Sequence, residues 1–384
     1  MKELEVGSIL SAASERAQAD EYDSLSFIEG LQILVEEVNL SAAVTERGRE
    51  GLRKIFIQLL VNRLRVARWL HDHPETLTVP VPHPVFVIGA PRTGTTLVNH
   101  LLGADPVRRS LLKWEIRNSV PPPRAGELRT DPRCLAMLAK DEARPTAERG
   151  STSQHYEVAD GPSECTFLQA QDFKSQFLEA LFPTPTYARW ILSCDMSSAY
   201  IYQRKVLQLL QTNTGGIWNL KMPSHALHIE ALLKIFPDAR IVWTHRDPLT
   251  ALGSLCSTIA ATQSSFCRLV DREYIGRTYA PQLAAHLDRP LTARDSGGES
   301  SFHDVDYVAV TADPIGEMRK LYDSLGDPFT PEAEAGMLAW LSENPQHKLG
   351  RHSYTLEQYG LNEGDVRPLF SRYYARFPEG SVRG

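Results

Sequence analysis

Arg92, Lys221 and Arg246 are three cations that each close or follow a short apolar run, and Glu115 is a carboxylate about twenty residues past the first of them. Cations at strand ends hold oxyanions, and a carboxylate beside a bound phosphate is unfavourable unless it works as a base. Arg246 and Ser254 are eight residues apart, which lets a strand-end cation and a helix hydroxyl clamp one isolated phosphate. Gly89 and Gly94 have the spacing of a Walker A loop, and Thr96 holds its hydroxyl position. Thr95 stands where that loop carries lysine, and Arg92 places a cation in the crown instead. The bland alternative is a Gly-rich turn that binds nothing. For Glu115 the bland alternative is a surface residue paired with Arg117.

These residues need elements to position them. Val85 to Ile88 is a β-branched, apolar run, followed by turn residues from Gly89 to Gly94 and a helical pattern from Thr95 to about Gly103. Strand, tight loop and helix start together direct backbone N–H groups and a helix's positive end at one anion. Arg109 to Lys113 is expected as a second strand, ahead of Glu115. Were it parallel to the first, its end would lie beside the loop. Ile217 to Lys221 and Arg240 to Thr244 read as strands, with helices over 226–236 and 249–260. Repeated β–turn–α units predict an α/β fold, a P-loop-type parallel sheet flanked by helices. Asp306 to Val310 is expected as a last strand. Residues 293–303 are Gly/Ser-rich and read as a candidate lid. Helices are expected over 314–325 and 331–342.

Ahead of the first strand, residues 1–80 read as a helical N-terminal extension packed on a main domain of residues 81–384. Helical spacing runs through Leu25 to Val38 and Thr45 to Leu70. Arg47, Arg49, Arg53, Arg63 and Arg68 fall on the other face of the second stretch and read as a solvated stripe. A loop over 144–163 carries His155 and Tyr156, and reads by default as surface connection.

The chain has 384 residues with net charge −6, which excludes a general attraction to nucleic acid or anionic membrane. Five scattered cysteines show no metal spacing and suggest reduced thiols. Met1 to Asp20 has no apolar segment of a secretory signal, and no run reaches the roughly 18 apolar residues of a membrane span. The expected location is cytoplasmic. Oligomeric state is left open, a homo-oligomer included.

The chain resembles the sulfotransferases that use 3′-phosphoadenosine-5′-phosphosulfate (PAPS), most of all the bacterial branch similar to mycobacterial and tyrosylprotein sulfotransferases. Pro91-Arg-Thr-Gly-Thr-Thr-Leu97 matches the family's 5′-phosphosulfate loop, and Arg246-Asp-Pro-Leu-Thr-Ala-Leu-Gly-Ser254 its 3′-phosphate motif. Trp114-Glu115-Ile-Arg117 resembles the segment with the catalytic glutamate, and Lys221-Met-Pro-Ser-His225 the block with the transition-state lysine. Lys348-Leu-Gly-Arg351 resembles a turn that covers the cofactor.

The resemblance implies cofactor contacts at Arg92, Thr93, Gly94, Thr95, Thr96, Leu97, Arg246, Ser254, Lys348, Gly350 and Arg351. It implies catalysis by Glu115, Lys221 and Arg92, with His155 and His225 as rival bases. Arg117, His155 and His225 are expected toward the acceptor. Many cytosolic relatives carry a loop lysine where Arg92 stands, and an adenine-stacking tryptophan where Leu97 stands. The expected product is adenosine 3′,5′-bisphosphate (PAP), with no metal, since cationic side chains replace Mg²⁺. The acceptor is expected to be a hydroxylated small molecule, lipid or glycolipid. A P-loop kinase or nucleotide hydrolase, and a non-catalytic nucleotide-binding protein, are the alternatives.

Overall fold

The structure, a computed structural model, describes residues 3–143, 158–344 and 355–378. The chain divides into two compact units. The first comprises Met1–Val81, Leu111–Gly215 and Ile259–Val270, and the second Pro82–Ser110, Gly216–Thr258 and Asp271–Gly384.

The second unit is built on a five-stranded parallel sheet of order β2-β3-β1-β4-β5. Its strands are β1 (Val85–Gly89), β2 (Arg108–Ser110), β3 (Ile217–Lys221), β4 (Arg240–His245) and β5 (Phe302–Asp306). Every residue of β1 is buried, so the strand reads as an unbroken apolar run rather than an alternation. It pairs on one side with β3, Val87 opposite Lys221, and on the other with β4, Gly89 opposite Thr244. One face packs Val85, Val87 and Val242 against Val98, Leu101 and Leu102 of the helix Thr95–Gly103, and Met318 and Leu321 of the helix Pro314–Leu325. All strands point the same way, so β3, β1 and β4 end side by side.

The sequence expectations need correction in three places here. β2 is shorter than expected and runs parallel, but β3 separates it from β1. The last strand ends at Asp306 rather than starting there. The Asp306 carboxylate accepts the Ala309 N–H at 2.8 Å and caps a helix, Tyr307–Ala312, over residues read as a strand. Residues 294–301 form helical turns, where the sequence suggested a mobile stretch. Arg294 is buried and holds the segment by bonds to Glu299 and to Asp304 of β5.

The first unit is helical among the described residues, with its long helix at Glu46–Asp72. Thr45 caps that helix by accepting the Gly48 N–H at 2.9 Å. The arginines of its supposed solvated face divide. Arg47 and Arg68 are exposed, whereas Arg49 and Arg63 are buried. Arg63 pairs with Asp172 at 2.8 Å and Asp23 at 3.0 Å. Asn62 beside it donates to Gln171 at 2.9 Å and to Ser119 at 3.0 Å. These buried polar bonds join the long helix to the segments at 115–119 and 171–172.

Candidate active site

The loop after β1 is fixed by two threonines and two glycines. Gly89 has φ +152°, and a side chain there would collide with the hydroxyls of Thr244 and Thr93. Thr93 donates to the Ala90 carbonyl at 2.7 Å, and its hydroxyl lies 2.6 Å from that of Thr244. The Thr93 side chain is therefore spent on bracing the loop. Gly94, at φ +90°, starts the helix Thr95–Gly103, whose first N–H groups lack intrahelical partners. Arg92 also has positive φ, +71°. A non-glycine residue in that region costs roughly 1–2 kcal/mol, a strain that clusters at functional sites.

Arg92 follows β1, Lys221 closes β3 and Arg246 follows β4, so they line adjacent strand ends at one edge of the sheet. Lys221 is buried, and its Nζ lies 3.5 Å from the Thr96 hydroxyl, joining β3 to the start of the loop-opened helix. Arg246 donates from Nη1 to the Arg92 carbonyl at 3.0 Å. Its guanidinium sits 4.3 Å from the centre of the Tyr307 ring. Neither Arg92 nor Arg246 has a carboxylate partner among the described residues, and Arg246 Nε is buried without a hydrogen bond. Asp247 caps the helix Pro248–Gln263 through the Thr250 N–H at 2.8 Å, and Ser254 is buried in that helix's second turn. Leu97 is half-buried on the loop-opened helix.

Sequence reasoning missed two side chains at this edge. Tyr307 lay in the misread strand, and no pattern marked it. His100 is one helical turn past Thr96, a spacing that points to the same face. Burial first, then the charge of Lys221, pushes its imidazole down to about 4, so it is neutral at pH 7. It stacks on Trp340 with ring centres 5.0 Å apart.

Glu115 and Arg117 belong to the helical unit, on the short helix Lys113–Arg117. Glu115 is fully buried, which corrects its bland reading as a surface residue. Its carboxylate accepts the Leu112 N–H at 3.0 Å, and its carbonyl accepts from Ser119 at 2.8 Å. Asn62 Oδ1 in turn accepts the Ser119 N–H at 3.1 Å. Arg117 is exposed. His225 is fully buried, edge-on to Phe86 with ring centres 5.0 Å apart. Burial, then the neighbouring His228, pushes its imidazole down to about 3, a very weak base. His155, Lys348, Gly350 and Arg351 lie outside the described residues.

The model of a sulfotransferase family matches residues 84–331, a span that contains the loop and all three cations. Among solved structures, sulfotransferase STF9 from Mycobacterium avium superimposes with a TM-score of 0.92 at 42% identity, covering 97% of this chain and 96% of that one. Sulfotransferase STF1 from Mycobacterium tuberculosis gives 0.85 at 29% identity, covering 96% and 99%. Among curated proteins, the omega-hydroxy-beta-dihydromenaquinone-9 sulfotransferase Stf3 of Mycobacterium tuberculosis is 25% identical over 327 residues, 77% of this chain and 76% of that protein.

Proposed function

The chain belongs to the sulfotransferase family, and we propose that it uses PAPS as donor and a hydroxylated lipid or similar apolar molecule as acceptor. One observation carries the donor assignment. Two arginines at adjacent strand ends, Arg92 and Arg246, have no carboxylate partner among the described residues of a chain with net charge −6. A cation without a counter-ion favours an incoming anion. The missing loop lysine, replaced by Thr95, disfavours a nucleoside triphosphate. The acceptor class is supported by Stf3, whose name specifies a hydroxylated menaquinone.

The donor supplies a sulfuryl group already activated by its phosphate leaving group. As in phosphoryl transfer, charge spreads over peripheral and leaving oxygens, so positioning and electrostatics supply most of the rate. The N–H groups of residues 93–97 hold the 5′-phosphate. Arg246 and Ser254 hold the 3′-phosphate, which ADP and ATP lack. Arg92 and Lys221 stabilise charge on the sulfuryl and leaving oxygens. Glu115 accepts the proton of the attacking hydroxyl. His225 is disfavoured as the base, because a proton on its ring would sit in an apolar core.

Calorimetry with PAP, and with ADP plus Mg²⁺, tests the donor. Binding of PAP at least tenfold tighter is expected, and tighter ADP–Mg²⁺ binding would move the chain to nucleotide chemistry. Turnover of labelled PAPS against hydroxylated lipids and water-soluble alcohols then tests the acceptor class. Activity confined to the alcohols would reject a lipid.

A further inference from the structure

We infer that the C-terminal helix Ser371–Arg376 braces Arg246, with Tyr373 and Tyr374 as positioning residues that fix the chain on either side of that cation and so sustain affinity for a 3′-phosphate. This rests on the PAPS reading above. The two tyrosines are neighbours in sequence, yet each holds a different flank of Arg246. The Tyr373 hydroxyl lies 2.9 Å from Nδ1 of His245, the residue before Arg246. The Tyr374 hydroxyl donates to Oδ1 of Asp247, the residue after it, at 2.8 Å. Successive helix side chains leave about 100° apart, so one short helix reaches both flanks.

Each flank is pinned a second time. His245 Nε2 lies 2.8 Å from Asp304 of β5. Burial lowers the pKa of His245, so its ring is neutral at pH 7. A carboxylate only accepts, so the neutral ring donates to Asp304 and its Nδ1 accepts the Tyr373 hydroxyl. The other oxygen of Asp247 accepts the N–H and the hydroxyl of Thr250, both at 2.8 Å, at the start of the helix that carries Ser254. The bracing helix is itself anchored by Arg372, which donates to Thr292 at 2.8 Å and to Asp295 at 2.7 Å. Phe377, just past the helix, packs on the His245 ring with ring centres 4.1 Å apart.

The choice of contacts matters chemically. Asp247 is the carboxylate nearest to Arg246 in sequence, and both of its oxygens are engaged by neutral donors. A brace applied to the neighbours fixes where the guanidinium stands and leaves its charge uncancelled. Charge-assisted bonds to a phosphate depend on that placement. Tyr373 and Tyr374 therefore act through Arg246, and their effect falls on the phosphate that Arg246 meets.

The test uses the full-length protein and two ligands that differ only in the 3′-phosphate, PAP and adenosine 5′-phosphate, with affinities from calorimetry. Tyr374→Phe keeps the ring and removes the hydroxyl. It is expected to weaken PAP about three- to tenfold and adenosine 5′-phosphate by less than about twofold. Tyr373→Phe removes the other hydroxyl and should show the same split. Adding Tyr373→Phe to Arg246→Ala should cost no further PAP affinity. Should the change at buried Tyr373 prevent folding, Tyr374→Phe decides alone. Equal weakening of both ligands, unchanged PAP affinity in either folded variant, or an additive loss on top of Arg246→Ala overturns the inference. A wild-type protein that binds both ligands equally overturns the PAPS reading itself, a distinct result.

Discussion

Arg63 in the helical unit and Arg246 in the sheet unit are the same side chain set in opposite surroundings. Arg63 is 1% exposed, flanked by two carboxylates and by the rings of Phe27 and Tyr202 at 5.1 and 4.6 Å. Arg246 has a carbonyl and one ring, and no carboxylate among the described residues. The first cation is neutralised where it stands, so its work is to join segments of the unit. The second keeps its charge, which the proposed donor would meet. Counter-charge, more than burial, separates Arg63 from the arginine proposed to bind the donor. Both arginines leave Nε without a partner, so an orphaned nitrogen alone does not distinguish them.

The sharpest test of this division of labour is Glu115→Gln. The helical unit is assigned the base and the sheet unit the donor site. Gln keeps an acceptor oxygen for the Leu112 N–H, so folding should survive. We expect kcat to fall by about two to four orders of magnitude, with PAP affinity within about twofold. Near-normal kcat would transfer the role of base to another residue. Next comes Arg63→Ala, which leaves the fully buried Asp172 carboxylate with Lys174 at 3.9 Å, while Asp23 keeps Lys205 at 3.0 Å. Denaturant unfolding should show a loss of about 3–5 kcal/mol, because the buried carboxylate loses its closest cation. PAP affinity of the folded fraction should not change. Arg246→Ala should do the reverse. Stability should move by less than about 0.5 kcal/mol. PAP affinity should fall about 10- to 150-fold, the value of a charge-assisted contact. If both variants lose stability alike, the contrast between the two arginines fails.

The sheet unit was legible in the sequence because its central strands bury both faces. Val85 to Ile88 and Ile217 to Lys221 stand out as apolar runs closed by turn residues, and each strand end then names its cation. Tyr307 was not legible. Tyr-Val-Ala-Val suits a strand by side-chain preference, and only the Asp306 cap makes it a helix. Arg49 and Arg63 were read as solvated because helical periodicity assigns a face but cannot find a partner. Asp172 is more than a hundred residues from Arg63 in sequence, and Asn39 bonds Arg49 from a different helix. Glu115 was legible as a carboxylate past an anion loop, but its burial was not. That depends on Asn62, Ser119 and the Leu112 N–H, which no spacing rule connects. The helical turns at 294–301 were not legible, because Gly and Ser content argues for freedom, whereas Arg294 bonds Glu299 and Asp304.

The smallest effect separates the two units by their response to acid. Among the described residues, every histidine with a depressed pKa lies in the sheet unit: His100, His225, His228, His245, His286 and His303. Burial is the leading cause in each. In the helical unit burial instead raises the Glu37 carboxyl, which eases its protonation in the folded state. An unfolded histidine titrates near 6.5, whereas folded His286 is held at about 4 and His225 and His228 at about 3. Between those limits the unfolded chain takes up protons that the folded sheet unit refuses. Stability is therefore full above about pH 6.5 and is lost as pH falls toward 4. His286 is the clearest case, since its Nδ1 donates to the Gln282 carbonyl at 2.9 Å and its Nε2 is buried without a partner. His286→Leu should remove about 1.4 kcal/mol per pH unit from the acid slope of unfolding between roughly pH 6 and 4.5. Hydrogen exchange at pH 7 and 5 should show protection falling first in β1, β3 and β4. Equal loss in the helix Glu46–Asp72 would mean that the two units do not differ in this respect.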